Sequence, residues 1–314
     1  MSANPAVTRI EKIVVVTRKT RLQELVERFN TLGQAKFYIE HAGGDFKEYV
    51  SEDDVYQRSV DLVRSQLNLD LKVQFVDRGF LPTFLFTSTD LVITLGQDGL
   101  VANTAKYVKG QPIIALNPDP ERMDGVLLPY RPDQVRQAAD AVLSGKARRR
   151  GVTMAQAVLN DGQSILAFND LFIGARSHVS ARYRIDAGGK SEQQSSSGIL
   201  VSTGAGSSGW MSSVFNMARG LAALEHVKPP QPLRMKWEDP RLFFVAREPF
   251  VSRHSSAEIV AGMIEGGHDL CLESLMPSGG CIFSDGIEAD FIEFNAGSIA
   301  KIHTAAQQAQ LIVD

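Results

Sequence analysis

Asp90-Leu91-Val92-Ile93-Thr94-Leu95 runs directly into Gly96-Gln97-Asp98-Gly99, and the reading of this stretch decides the fold. The first six residues are almost continuously apolar, the pattern of a strand buried on both faces of a parallel sheet. Leu100, Val101, Thr104 and Val108 then repeat at helical spacing, so the glycine-flanked turn predicts a strand-to-helix junction. Upstream, Ile13–Val16 is a compact apolar run followed by Thr17-Arg18-Lys19-Thr20, and Leu22, Leu25, Val26 and Phe29 read as a helix. Asp53–Leu67 carries a second helical pattern, and Leu71–Val76 alternates as a strand does. Downstream, Pro112–Leu116 is the next strand and Pro132–Leu143 the next helix. Strand alternating with helix predicts a doubly wound α/β domain over residues 1–145.

Beyond Arg150 the texture changes. Short strand patterns at Val152–Val158, Ser164–Phe172, Ala181–Ile185 and Gly198–Thr203 are separated by Asp-Gly, Gly-Gly and Ser-rich turns. One helix, Ser208–Leu224, interrupts them before Leu242–Ala246, Glu258–Ile264, Cys281–Phe283, Ile287–Phe294 and Ser298–His303 resume the series. Residues 146–314 are therefore expected to form a β-rich, sandwich-like domain, with the last strand, Ala309–Val313, free to return to either domain. Ser191–Ser197 reads as a mobile low-complexity loop.

Composition narrows the class. With 33 Lys+Arg against 36 Asp+Glu in 314 residues, the chain lacks the basic surplus of a nucleic-acid binder. Two cysteines, Cys271 and Cys281, form neither a disulfide framework nor a zinc pattern. Six scattered histidines show no metal spacing, and no apolar run reaches the roughly 20 residues that span a bilayer. Free thiols and the lack of a leader-like N-terminus point to a soluble, cytoplasmic protein without nucleic-acid or membrane partners.

Three groups of residues invite chemistry. In Gly96-Gln97-Asp98-Gly99 the glycines would let amides approach an anion at a helix N-terminus, while the carboxylate suits proton acceptance better than phosphate binding. A capped βα turn would look the same. Gly204-Ala205-Gly206-Ser207-Ser208-Gly209 satisfies the dinucleotide fingerprint by spacing, but it sits in the β-rich half and leads to Pro229, Pro230 and Pro232 rather than to a parallel strand. It reads better as a Gly/Ser loop that offers donors to a nucleotide. Asn169-Asp170, within Ile165–Ile173, is either a ligand-reading pair or a strand-end turn. Arg18, Lys19 and Arg21 lie at the strand edge where open α/β sheets bind ligands.

Taken in order, these stretches resemble the NAD kinase family, in particular its mitochondrial-type branch. Leu95-Gly96-Gln97-Asp98-Gly99-Leu100 is similar to its G-G-D-G-T turn, and Asn117-Pro118-Asp119-Pro120-Glu121-Arg122 to its N-x-D-P-E-R segment. Asn169-Asp170-Leu171-Phe172-Ile173-Gly174 resembles N-E-x-F-I-G, while Ser196-Ser197-Gly198 and Thr203-Gly204-Ala205-Gly206-Ser207 resemble S-S-G and T-G-T-G-S. Trp210 holds the aromatic position, and Arg247-Glu248-Pro249 and Asp285-Gly286 match further short stretches.

The resemblance implies ATP-dependent phosphorylation of the adenosine-ribose 2′-hydroxyl of NAD, with Mg²⁺ as cofactor, NADP as product and a homodimeric enzyme. It implies Asp98 as general base, Gly96 and Gly99 as backbone donors to phosphates, and Asn169 with Asp170 as the adenosine-holding pair. Thr203, Gly204, Gly206, Ser207 and Ser208 would line the site, with Trp210 as a wall and no protein metal ligands. Gln97 and Leu100 depart from the motif: one adds a side chain where a glycine stood, the other removes a hydroxyl. A same-fold kinase of another hydroxyl substrate, or a nucleotide-binding protein with impaired catalysis, are the alternatives.

Overall fold

The computed structural model describes residues 9–313, which divide into two compact units. The first runs to Arg150 and takes back the chain from Gln310; the second spans Gly151–Ala309.

In the first unit, β1 (Lys12–Thr17) buries Ile13, Val14, Val15 and Val16. Thr20 then starts α1 (Arg21–Phe29): its hydroxyl accepts from the Gln23 amide while the Gln23 side chain takes the Thr20 amide. Such a reciprocal cap is worth about 1 kcal/mol. Next come α2 (Leu32–His41), α3 (Phe46–Gln66) and β2 (Lys72–Asp77). They are followed by β3 (Asp90–Leu95), α4 (Asp98–Ala105), β4 (Pro112–Leu116) and α5 (Val135–Leu143). The strands are parallel in the order β2-β1-β3-β4, and every residue of β3 and β4 is buried. Tyr56 and Val63 of α3 and Val135, Ala138 and Val142 of α5 pack with Ile13, Val15, Leu91 and Ile93 in one core. Sequence periodicity misses α2 because Leu32, Phe37 and Tyr38 are exposed, so its apolar residues do not trace one buried face.

The second unit opens within β5 (Arg148–Leu159) and continues with β6 (Ser164–Ala167), β7 (Asp170–Ala175), β8 (Ala181–Ala187), β9 (Lys190–Ser196) and β10 (Ile199–Ser202). It continues through α6 (Trp210–Leu224), β11 (Leu242–Ala246), β12 (Ala261–Ile264), β13 (Leu270–Ser274), β14 (Gly280–Ser284), β15 (Ile287–Glu293) and β16 (Ile299–Val313). One antiparallel sheet runs β12-β11-β10-β7-β14-β15. Facing it are β13, β8 and β9 with the start of β16, joined by β5 and β6. Leu171, Ile173, Val201 and Phe244 from the first sheet meet Tyr183, Ile185, Leu272 and Ile302 from the second in a shared core. Gln310 and Leu311 at the far end of β16 pair in parallel with Pro112 and Ile113 of the first unit.

Several local expectations change. Ser191–Ser197 is not a mobile loop: Lys190–Ser196 pairs with β8 residue by residue, burying Gln194 and Ser196. The Tyr183 hydroxyl meets both side chains, at 2.9 Å from Gln194 and 2.7 Å from Ser196, which is why so polar a segment can be a strand. The stretch from Ser164 to Phe172 is two strands, broken at Phe168 and Asn169. Both cysteines are free, with Cys281 buried and its thiol pushed up to about 11 by desolvation. No helix among the described residues is long and apolar enough to cross a membrane.

Candidate nucleotide site

In the first unit the site is the β3–α4 turn. Gln97 is the N-cap of α4 at φ −87°, ψ 167°, an extended backbone that any residue adopts. Its side chain therefore causes no backbone strain where the related motif has glycine. Leu100 is buried, and its Cδ2 lies 2.8 Å from where a Cβ on Gly96 would stand. Gly96 is thus needed for close packing, and its amide is spent on the Leu116 carbonyl at 3.2 Å. Gly99 is different: nothing lies within 4 Å of its Cβ position, and it sits in the first helical turn, where amides lack intrahelical acceptors.

Asp98 is half-buried and aimed at the loop that follows β4. Its Oδ1 accepts from the Leu127 amide at 2.9 Å and its Oδ2 from the Val126 amide at 3.1 Å. Each carboxylate oxygen keeps a free lone pair, so the group is oriented without losing the ability to accept a proton. The same loop is shaped by Asn117, which takes the Asp119 amide at 3.0 Å and donates to the Met123 carbonyl at 3.0 Å. Gly125, at φ +62°, must be glycine there, since a Cβ would fall 2.7 Å from the Asn117 amide nitrogen.

The basic residues after β1 are paired. Arg18 bonds Glu52 at 3.2 Å, Arg21 bonds the other Glu52 oxygen at 2.5 Å, and Lys19 bonds Glu27 at 2.7 Å. Burial raises the Glu52 carboxyl, but the hydrogen bonds and charges of Arg21 and Arg18 outweigh it and hold the group below its ordinary range. Tyr56 takes the Arg18 amide at 2.9 Å and donates to the Leu95 carbonyl at 3.0 Å; burial pushes its phenol up to about 12. These charges brace the strand ends that carry the turn.

In the second unit, Asn169, Asp170 and the Thr203–Ser208 turn come together. The Thr203 amide donates to the Asn169 carbonyl at 2.9 Å, and the Thr203 hydroxyl donates to the Phe168 carbonyl at 2.6 Å while accepting from the Gly206 amide at 3.2 Å. The Ser207 hydroxyl donates to the Gly204 carbonyl at 2.7 Å. These two hydroxyls are therefore spent inside the turn. Gly204 and Gly206 serve packing: a Cβ would stand 1.8 Å from the Lys236 carbonyl oxygen and 2.3 Å from that of Asn169, respectively. Ser208 is exposed and the Asn169 side chain half-exposed. Trp210 stacks on Phe172 at 5.8 Å between centroids, and the Arg247 guanidinium lies 5.2 Å from the indole.

Asp170 is the most perturbed group of the pair. It is buried, and its Oδ1 has no hydrogen-bond partner. Desolvation pushes its carboxyl up to about 7; a Ser202 hydrogen bond opposes this and the Asp285 charge adds to it. A buried oxygen without a partner costs free energy, and here it leaves Oδ1 of Asp170 available to a hydrogen-bonding group brought in from outside. Sequence reading left Asp285 without a role. It adopts φ +53°, and its carboxylate accepts from the amides of Phe168, Asn169 and Asp170 at 3.0, 2.7 and 3.2 Å. That clamp sets the break between β6 and β7. The Asp285-Gly286 turn signal was the visible clue.

One unit is a doubly wound α/β domain carrying a Gly-Asp turn, and the other is an antiparallel sandwich carrying a Gly/Ser turn, the fold of the solved NAD kinases described next. No protein-family model matches the sequence. The chain is 22% identical to NAD kinase 2, mitochondrial, of Xenopus tropicalis, over 96% of this chain and 90% of that protein. The fold is similar to the crystal structure of yeast NADH kinase complexed with NADH (TM-score 0.57, 15% identity, 100% of this chain and 88% of that one). It is also similar to an NAD kinase from Archaeoglobus fulgidus in complex with ATP (TM-score 0.52, 13% identity, 96% of this chain and 93% of that one). The cytoplasmic placement expected from the sequence is overturned by the first of these relatives, whose name places it in the mitochondrion.

Proposed function

We propose that the protein is an NAD kinase that transfers the γ-phosphoryl group of ATP to the adenosine-ribose 2′-hydroxyl of NAD, giving NADP and ADP. The observation that carries this reading is Asp98, a half-buried carboxylate at the start of α4 fixed by two backbone amides, with a free lone pair on each oxygen. In the reaction Asp98 takes the 2′-hydroxyl proton as the ribose oxygen bonds the γ-phosphorus and the bond to the β-bridging oxygen breaks. Gly99, in the first turn of α4 where amides lack intrahelical acceptors, donates to phosphate. The buried, unpaired Asp170 oxygen and the Asn169 amide hold the adenosine, with Ser208 and Trp210 beside them.

Among the described residues no group of three or more His, Cys, Asp or Glu side chains forms a metal cage. Mg²⁺ enters this proposal as the cation of the nucleotide substrate, the usual role of an ion that keeps its waters and binds phosphate oxygens. A homodimer belongs to the same proposal and is measured by sedimentation.

The test is NADP formation from NAD and MgATP, with Asp98→Asn as the control. Turnover should fall at least about a hundredfold in the variant, since general-base groups contribute on that order. Near-wild-type turnover in a folded variant would remove Asp98 as the base. Absence of product in the wild type, with NAD still bound, would favour the nucleotide-binding alternative, for which Gln97 and Leu100, the departures from the motif, are the motive.

A further inference from the structure

A second feature lies beside the Gly/Ser turn, on the side bounded by α6 and the segment at 232–237. There a cavity of about 440 Å³ is lined by Ser207, Ser208, Asn216, Arg219, Arg234 and Trp237, among others, and by no carboxylate. Neither arginine forms an ion pair with a described residue, whereas Arg184 and Arg241 of the same unit both do. The Ser208 hydroxyl and the Asn216 amide make no hydrogen bond among the described residues.

The arginines are not on loose chain. Asn216 and Arg219 lie three residues apart on α6, so both project to one face of the helix. The backbone around Arg234 is pinned to the turn: the Met235 amide donates to the Ser207 hydroxyl at 3.4 Å. The Lys236 carbonyl lies against Gly204, and the Trp237 carbonyl accepts from the Thr153 amide at 2.9 Å. Two unpaired guanidinium forks with a hydroxyl and an amide, and no opposing negative charge, match the several oxygens of a phosphate dianion.

We propose that this cavity is a phosphate-binding site, with Arg219 and Arg234 as its charged ligands and Ser208 and Asn216 as its neutral donors, taking a phosphate-bearing small molecule. The inference shares the 204–208 turn with the nucleotide reading but stands on the cavity's own charge and shape. It holds whatever hydroxyl the enzyme phosphorylates.

The test uses inorganic phosphate as the probe and the guanidinium Nε–H signals of Arg219 and Arg234 as the readout in the full chain. Both signals should shift on titration, and their assignment follows from Arg219→Gln and Arg234→Gln. Each substitution should weaken phosphate binding at this site by about tenfold, the usual worth of one charge-assisted contact, and the double variant should abolish it at millimolar phosphate. Both side chains are exposed, so the variants should fold as the wild type does. Overturning results are unshifted arginine signals, or phosphate binding that survives unchanged in the double variant. Failure of NADP formation with arginine-dependent phosphate binding intact would sink the kinase reading alone.

Discussion

Asp170→Asn should stabilise the second unit above pH 7 relative to the wild type, and that gain should shrink as pH falls towards 4. The carboxyl is buried and raised from 3.8 to about 7 in the folded protein. Because the folded value exceeds the unfolded one, the favourable contribution of the neutral acid is fully present below pH 3.8 and is lost as pH climbs to about 7. A gap of roughly 3 units at 1.36 kcal/mol each gives about 4 kcal/mol across that window. Asn carries no charge to desolvate, so it escapes this loss. Its extra N–H group, left without a partner, would cost about 1–3 kcal/mol, but that offset does not vary with pH and cancels from the comparison. Urea unfolding followed by tryptophan fluorescence is the assay, since both tryptophans, Trp210 and Trp237, belong to the second unit. Stability of the wild type minus that of the variant should fall by about 4 kcal/mol between pH 4 and pH 8. Parallel pH profiles for the two proteins would refute the claim that Asp170 is held neutral by burial.

Other expectations concern the two turns. Gly204→Ala should lower stability by about 3 kcal/mol or more, because the new methyl would overlap the Lys236 carbonyl at 1.8 Å. Gly99→Ala meets nothing within 4 Å and should leave the thermal midpoint nearly unchanged. Leu100→Thr places a hydroxyl where a buried leucine packs against Gly96, and denaturant unfolding should show a loss of about 1–3 kcal/mol. Gln97→Gly relieves no positive φ, so adding it should not restore that loss. Replacing both to recover the family motif would therefore be paid for in stability.

Much of the architecture was legible because it is written in neighbouring residues. The nearly continuous apolar run Asp90–Leu95, the turn after it and the helical spacing beyond it announce a buried parallel strand leading to a helix, and β3 and α4 stand there. Alternation and short turns likewise announced a β-rich second half. The exceptions are elements whose stability comes from distant partners. Lys190–Ser196 looks like a loop until Tyr183 and β8 supply hydrogen bonds to its polar side chains. The 299–313 stretch looked like two strands because its exposed positions interrupt the apolar pattern, yet it is one.

The sequence by itself determined the α/β-then-β organisation and the candidate residues Asp98, Asn169, Asp170 and the 203–208 turn, since residue type and local spacing carry that information. Tertiary structure alone decided what each of them does. It turned Thr203 and Ser207 inward and set Gly204 against a carbonyl at residue 236. It also brought the amides of Val126 and Leu127 to Asp98 and the carboxylate of Asp285 to the amides of residues 168–170. These contacts join positions 28 to 117 residues apart. No local pattern specifies them, because a hydrogen bond or a close backbone approach depends on where packing brings two segments, not on what lies next to each in the chain.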